Sequence, residues 1–252
     1  MTSAFIAVAA ILGAIIGSFI ATLCLRWGRG EQATVGRSRC DNCNRELSAV
    51  ELIPFASWVF TRGRCRTCGA PISRLHLWIE LGAAALVSLA VALQPNISGA
   101  VLAVFWLLLI APAVLDARHH WLPDPLTALL AVAGLAIGGV ATGVPFVDRL
   151  IGGAAGFLVL WIIACSYRQS RSREGLGAGD PKLLGAIGLW TGWFALPPIL
   201  LIAALAGLAI AVAQGRSRLD RMPFGTLLAA AAIVWTAVLV GRTPVLDGSQ
   251  LL

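Results

Sequence analysis

The sequence predicts an all-α, polytopic membrane helix bundle of about eight transmembrane helices, with a small polar loop domain. Of its 252 residues, 58% are hydrophobic and only 12% are charged, whereas soluble domains carry about 25% charged residues. Several apolar runs approach the roughly 20 residues that a helix needs to cross a bilayer. They lack the short alternating pattern of membrane β-strands. A lipid bilayer is therefore the expected surrounding, and helices are the expected spanning elements.

Eight apolar segments are candidate spans. The first has no Lys or Arg before it and no convincing cleavage site after it, so we expect a retained helix and not a signal peptide. The run at 183–213 contains Pro197 and Pro198, which one straight helix could not carry. We expect a tight hairpin there, although a single kinked span would give seven in total. The expected spans are 4–25, 77–94, 99–116, 125–143, 149–166, 183–196, 198–214 and 225–241.

The basic residues decide between seven and eight spans. With eight spans and both termini outside, 17 of the 19 Lys and Arg residues fall on the cytoplasmic side, and only Arg149 and Arg242 fall outside. Seven spans would turn the loop with Arg216, Arg218 and Arg221 outward, against the positive-inside rule. Membrane topology therefore accounts for the net charge of +7, and nucleic acid is not an expected partner.

Four of the six cysteines form two C-x-x-C pairs, Cys40 with Cys43 and Cys65 with Cys68, separated by 21 residues. Two such turns can supply the four thiolates of a tetrahedral zinc site. A reducing cytoplasm argues against structural disulfides, and zinc would stabilise a loop, 26–76, that is too small for a core of its own. The alternative is a redox-active or incidental set of thiols.

Two aspartates each lie where an apolar run meets a polar loop. Asp116 ends an apolar run at 101–115, and Asp180 follows two glycines and precedes Lys182 in Gly177-Ala-Gly-Asp-Pro-Lys. Carboxylates at a membrane boundary are costly and are usually functional, although Asp116 could also be a solvated interface residue. The glycines leave room for another chain to approach. A pair of such acids that shares a proton could activate water against a peptide bond.

Other polar residues at the expected helix ends have simpler interpretations. Asp124, like Asp180, precedes a proline, which is a favoured helix start; for Asp124 we expect this capping role. Glu80 lies in the first turn of the second expected span, where it could pair with the helix dipole or line a cavity. His119 and His120 are expected to be solvated.

With these residues in place, the chain resembles the type IV prepilin peptidases, also called leader peptidase/N-methyltransferases. The resemblance runs nearly from end to end. It departs from the family pattern at Arg118, where a second acid is frequent, and at 75–77. The matching motifs are Gly17-Ser-Phe19 with Arg26, Ser38–Cys43, Ile53-Pro54, Ser57-Trp58, Arg62–Gly69, Ile72-Ser73, Glu80, Asp116 with Leu122–Thr127, Gly177–Asp180 with Lys182-Leu183, and Pro223-Phe-Gly225.

The resemblance implies an aspartyl endopeptidase of the bacterial inner membrane with Asp116 and Asp180 as its catalytic pair. One acid would be the base toward water and the other would protonate the scissile carbonyl; the sequence leaves open which is which. The implied substrates are prepilins or pseudopilins with a basic leader, cut after a glycine on the cytoplasmic face. The new N-terminus would then be methylated from S-adenosylmethionine.

The implied domains are a first transmembrane helix (1–25), a four-cysteine loop associated with the methylase (26–76), a membrane-embedded peptidase (77–241) and a tail (242–252). Expected substrate- or cofactor-binding residues are Gly177, Gly179, Lys182 and Glu80. Two other functions stay open: a transporter that uses intramembrane acids as an ion relay, and an inactive membrane scaffold with a zinc loop.

Overall fold

The computed structural model describes residues 2–32, 36–171, 177–215 and 222–242. Four of the basic residues used for the expected topology lie outside the described residues, as does most of the C-terminal tail. These are Arg173, Arg216, Arg218 and Arg221, together with residues 243–252.

The predicted all-α fold is confirmed. Within the described ranges no strand forms, and the only β-type pairings are two isolated antiparallel bridges, Arg39 with Glu46 and Arg64 with Pro71. The helices are α1 (Thr2–Trp27), α2 (Ala56–Phe60), α3 (Arg74–Leu93), α4 (Ile97–His119), α5 (Asp124–Thr142), α6 (Phe146–Arg171), α7 (Asp180–Thr191), α8 (Leu196–Ala213) and α9 (Phe224–Arg242).

Seven helices of the described chain are long and apolar enough to cross a membrane: α1, α3, α4, α5, α6, α8 and α9. The expected span at 183–196 is instead the shorter helix α7, whose 12 residues rise about 18 Å, less than the roughly 30 Å of a bilayer core. α7 ends at Gly192, which has a φ of 75°. Pro197 and Pro198 occupy the first turn of α8, where their missing N–H groups cost nothing. The expected interruption of the run at 183–213 is therefore confirmed.

The chain forms two compact units, residues 1–92 and 93–252. In the first unit, α1 and α3 pack closely through small side chains. A methyl group added at Gly17 would lie 2.8 Å from the Ala83 side chain, and one at Gly13 would lie 2.8 Å from the Ala83 carbonyl. Small residues of this kind let membrane helices approach backbone to backbone.

In the second unit, α7 is the central helix, and nearly all of its residues are buried against α5, α6 and α9. Glycines bring α6 and α7 together: a methyl group at Gly156 would lie 2.8 Å from the Leu184 carbonyl. On the α5 side, the indole of Trp190 fills the space above Gly134 and donates to the Leu130 carbonyl at 2.8 Å. This packing fixes the position of the first residue of α7, Asp180.

Candidate functional site

Two buried carboxyl groups meet in the second unit. Asp116 lies in the last turn of α4 and Asp180 is the first residue of α7; they leave only 6% and 4% of their surfaces exposed. A Cβ atom built on Gly225, at the start of α9, would lie 3.1 Å from Asp116 Oδ2 and 3.1 Å from Asp180 Oδ1. The two oxygens therefore face a common point, and they lie within twice that distance of one another. A side chain at residue 225 would occupy the space between them.

Asp116 is held by the first turn of α9. The backbone N–H of Thr226 donates to Asp116 Oδ2 at 2.8 Å, and the Thr226 hydroxyl lies 3.1 Å from the same oxygen. That hydroxyl also lies 2.8 Å from the Ala113 carbonyl, so its one proton can serve either acceptor. Thr226, which lies 110 positions after Asp116 in the chain, thus fixes the Oδ2 atom of Asp116 and donates no hydrogen bond to its Oδ1 atom.

Asp180 is held by the glycine-rich turn that precedes α7. The Gly177 N–H donates to Asp180 Oδ2 at 3.1 Å, and the Asp180 N–H donates back to the Gly177 carbonyl at 3.2 Å. Helix N-termini have unsatisfied N–H groups and favour negative charge. Asp180 does not cap its own helix, because the N-cap residue is Gly179 and no side chain caps it.

The Leu122 side chain covers the carboxyl pair and leaves no room for a side chain at two neighbouring glycine positions. A methyl group at Gly179 would lie 2.5 Å from Leu122 Cβ, and one at Gly225 would lie 2.8 Å from Leu122 Cδ1. The turn that places Leu122 begins at His120, whose φ of 49° is in the left-handed region that few non-glycine residues adopt. The Leu122 side chain therefore forms an apolar wall beside both carboxyl groups.

The capping role expected for Asp124 is wrong. The N-cap of α5 is Pro123, and the Asp124 carboxylate instead pairs with Lys182 at 2.6 Å. Both side chains are largely exposed, so the pair adds little stability. It stands at one end of an open cavity of about 360 Å³ between α5, α6 and α7, which is otherwise lined mainly by apolar and small side chains such as Phe157 and Gly185.

Glu80 lies in the first unit and away from a helix start. α3 begins at Arg74, six residues earlier, so the expected placement in the first turn is wrong. The Glu80 side chain is buried, and its Oε2 accepts the backbone N–H of Phe55 at 2.7 Å. Phe55 has a φ of 59°, a strained value for an aromatic residue. Glu80 thus anchors the loop between the two cysteine pairs to α3.

The four predicted cysteines come together in that unit. The sulfur atoms of Cys40, Cys43, Cys65 and Cys68 all lie within 4.8 Å of one another, and those of Cys40 and Cys68 are 3.8 Å apart. All four thiols are free. The cluster can hold one metal ion.

The two cysteine turns have the same backbone design. In the first, the Cys40 N–H donates to the Arg45 carbonyl and the Asn44 N–H donates to the Cys40 carbonyl; in the second, Cys65 and Gly69 repeat both bonds. Asn44 and Gly69 both have positive φ values, 55° and 69°. Backbone N–H groups of Cys68 and Thr67 lower the pKa of Cys65 to about 6, which favours at this one position the thiolate that a metal requires; the pKa of Cys43 is instead raised to about 11.

An ion pair next to the first cysteine turn fixes the loop that follows it. Arg45 binds the Glu51 carboxylate with both terminal nitrogens, at 2.6 and 3.1 Å. Glu51 also accepts the N–H and the hydroxyl of Ser48, which caps a short 3-10 turn at Ala49–Leu52. The Arg45 guanidinium and the Ser48 donors lower the pKa of Glu51 to about 2.

Sequence reasoning singled out both aspartates but missed Thr226 and the role of Leu122. In the sequence Leu122 belongs to the motif at 122–127, and Thr226 lies one residue beyond the motif at 223–225. The available signal was a hydroxyl residue directly after a glycine at the start of the last apolar run. That signal does not indicate which acid the hydroxyl contacts.

The fold and the site define a multi-pass membrane protein with a buried carboxyl pair and a four-cysteine cluster. Residues 11–94 match the bacterial peptidase A24 N-terminal domain, and residues 102–212 match the type IV leader peptidase family. The chain belongs to the type IV leader peptidase family. No solved structure matches it.

Curated relatives carry the same printed name, prepilin leader peptidase/N-methyltransferase. The protein of Burkholderia pseudomallei strain 1026b is 43% identical over 202 residues, which are 78% of this chain and 65% of that protein. That of Aeromonas hydrophila is 39% identical over 82% of this chain and 72% of its own length. That of Stutzerimonas stutzeri is 32% identical over 94% of this chain and 91% of its own length.

Proposed function

We propose that this chain is an aspartyl endopeptidase that removes the leader of type IV prepilins or pseudopilins at the cytoplasmic face of the bacterial inner membrane. We further propose that it then methylates the new N-terminus from S-adenosylmethionine. The observation that carries the peptidase function is the convergence of Asp116 and Asp180 on Gly225. The relatives' names support the substrate class and the methylation.

The carboxyl pair supports hydrolysis through an activated water. Two acids this close do not both ionise readily, so they share a proton, and the ionised member can take a proton from water. Thr226 offers Asp116 two donors, whereas Asp180 accepts one backbone N–H. Donors stabilise a carboxylate more than a neutral acid. Asp116 is therefore the proposed base, and Asp180 carries the proton that it donates to the scissile carbonyl.

The positions of the acids favour a peptidase over an ion relay. A relay needs acids along the middle of a span, whereas Asp116 lies in the last turn of α4 and Asp180 begins α7. A substrate that enters from the polar side would meet both acids at the end of its path. The apolar helix of the substrate, which follows the cleavage site, could stay in the lipid while the substrate is cut.

The test is cleavage of a prepilin by purified protein. Asp116→Asn and Asp180→Asn should each lower kcat by several orders of magnitude, because residues that act as a unit fail together. Asp124→Asn is the control for kcat: its effect should be much milder, since its carboxylate forms only an exposed pair with Lys182, and any effect through Lys182 should appear in KM. All three proteins should accumulate in the membrane. Substantial cleavage by Asp116→Asn or Asp180→Asn would refute the assignment.

Gly177, Gly179 and Lys182 are proposed substrate-binding residues. Gly177 is exposed beside Asp180, so a substrate backbone can approach the acid without meeting a side chain. Lys182 stands at the rim of the cavity between α5, α6 and α7. Glu80 is a proposed contributor on the methylase side, through the Phe55 backbone that it holds.

Zinc is the proposed occupant of the four-cysteine cluster. In a tetrahedral site with Zn–S bonds of about 2.3 Å, sulfur atoms lie roughly 3.8 Å apart, and the Cys40–Cys68 separation is 3.8 Å. Four thiolates leave no open position, so the ion would be structural. It would hold the loop domain at 26–76 together, because that segment has little core of its own.

The proposed topology places the N- and C-termini outside and both aspartates on the cytoplasmic side. It requires an eighth crossing besides the seven long helices, and we assign that crossing to α7, which is buried by neighbouring helices, together with the 3-10 turn at Trp193–Ala195. The support for this topology is the charge asymmetry of the loops. Within it, we assign 1–25 to the first transmembrane helix, 26–76 to the zinc loop, 77–241 to the peptidase and 242–252 to the tail.

A further inference from the structure

A group of apolar side chains is exposed in the first unit, on the segment that joins the two cysteine turns. This segment comprises the 3-10 turn at Ala49–Leu52 and helix α2, and no residue of these two elements is buried. Phe60 is the extreme case, with 81% of its surface exposed. Exposed apolar patches of this kind mark interaction surfaces. The members of this apolar patch are Val50, Leu52, Ile53, Phe55, Val59 and Phe60.

Contacts with α1 and α3 place the apolar patch at the depth of the membrane-spanning helices. The Phe55 N–H donates to Glu80 Oε2 at 2.7 Å, and a Cβ atom built on Gly17 would lie 3.0 Å from Glu80 Cα. Gly17 lies ten residues before the end of α1, which is about 15 Å along the helix axis. The residues between Gly17 and Arg26 carry no charge. Phe55 therefore lies within one side-chain length of an uncharged part of a span.

The backbone of the segment suits a lipid surrounding. Lipid offers no hydrogen-bond partners, so backbone groups at membrane depth need partners within the protein. The Ile53 N–H donates to the Val50 carbonyl, and the Ser57 N–H donates to the Ile53 carbonyl. The N–H of Phe55, at the junction of the 3-10 turn and α2, is accepted by the Glu80 carboxylate. A side chain of α3 thus satisfies the backbone where the two short elements meet.

The charges beside the apolar patch fit an anionic surface. The acids that precede the patch are already paired with Arg29, Arg37 or Arg45. Residues 52–74, in contrast, contain no acid and four arginines, which are all exposed and form no ion pair with a described residue. Basic residues next to a span attract anionic lipid headgroups. These arginines are Arg62, Arg64, Arg66 and Arg74.

We propose that the apolar patch inserts into the cytoplasmic leaflet of the bilayer, with the four arginines at its anionic headgroups. The patch continues the lipid-facing surface of α3, where Trp78 is 67% exposed and tryptophan is typical of the membrane interface. The segment between the cysteine turns therefore lies in the membrane surface and holds the four-cysteine cluster beside it. The choice of leaflet rests on the proposed topology, whereas the insertion does not.

The test measures the surroundings of residue 60 in the full-length, metal-replete protein in nanodiscs of phosphatidylcholine and phosphatidylglycerol. Phe60→p-acetylphenylalanine accepts a nitroxide label without using a cysteine. Collisions of the label with oxygen, which concentrates in lipid, are compared with its collisions with a water-soluble nickel chelate. The same label at Arg37, which is exposed in the same loop and pairs with Glu46, is the water control. The oxygen-to-nickel ratio at residue 60 should exceed that at residue 37 by about tenfold or more, as expected when an aromatic side chain leaves water.

Each outcome separates lipid from the other possible surroundings of the patch. A ratio at residue 60 equal to that at residue 37 would show a patch in water and overturn the proposal. A label shielded from both reagents would show that protein covers the patch, and would overturn it too. In nanodiscs of phosphatidylcholine alone the ratio should fall, and an unchanged ratio would refute the contact of the arginines with anionic headgroups. If the variant at Phe60 does not accumulate, the label at Val59 carries the same test.

Discussion

Thr226 is the residue whose role can be tested most sharply, because its hydroxyl can be removed with almost no change of shape. In Thr226→Val the side chain keeps its branched form and the backbone N–H still donates to Asp116 Oδ2 at 2.8 Å. The variant loses only the two contacts of the hydroxyl, at 3.1 Å to Asp116 Oδ2 and at 2.8 Å to the Ala113 carbonyl. The kcat of this variant therefore measures what one hydroxyl donor contributes to the proposed base, Asp116.

The expected magnitude follows from the competition for the hydroxyl proton. A hydrogen bond to a charged group contributes about 1.5–3 kcal/mol, but the Thr226 hydroxyl also faces the Ala113 carbonyl at 2.8 Å. Since one proton serves two acceptors, we expect the lower end of that range, about 1.5 kcal/mol, or roughly tenfold in kcat.

The assay is steady-state cleavage of a prepilin by purified enzyme, with kcat and KM measured separately. Thr226→Val should lower kcat with little change in KM, and Thr226→Ser should restore kcat because it restores the donor. Equal thermal stability of the two variants would exclude a general packing defect. A wild-type kcat in Thr226→Val, or a loss of the same size in Thr226→Ser, would refute a positioning role for the hydroxyl.

Three other results are expected. Gly225→Ala should abolish cleavage, because its methyl group would lie 3.1 Å from both carboxyl oxygens; activity near the wild-type level would contradict the geometry of the pair. Cys68→Ser should lower the zinc content of purified protein and make the loop sensitive to protease, whereas Cys24→Ser should leave zinc unchanged; a chelator-free preparation without stoichiometric metal would disprove the zinc site. Reporter fusions at Asn96 should report the outer side and fusions at Arg45 the cytoplasm, and the reverse pattern would overturn the topology.

Much of the helical architecture could be predicted because its causes are local. Seven of the eight expected spans coincide with long apolar helices of the described chain, since a run of apolar residues and the turn residues that end it are neighbours in the chain. The C-x-x-C pairs are local in the same way, and so the expected cysteine cluster formed. Residue spacing alone specifies these features.

The length of α7 and the role of Asp124 could not be predicted in this way. An apolar run that ends in a double proline resembles a full span, but α7 stops at Gly192 and is buried by its neighbours instead of by lipid. Asp-Pro is a common helix start, yet a lysine 58 positions later takes the Asp124 carboxylate. In both cases a tertiary contact outweighed a local preference.

The sequence by itself determined which segments form helices, where the four cysteines gather and which two acids stand at helix ends. Only the tertiary structure decided that both acids face Gly225 and that, of the two acids, Thr226 donates to Asp116. The reason is physical. Helix formation and cysteine turns depend on residues a few positions apart, whereas the geometry of a site depends on side chains from α4, α7 and α9 that meet only when the helices pack.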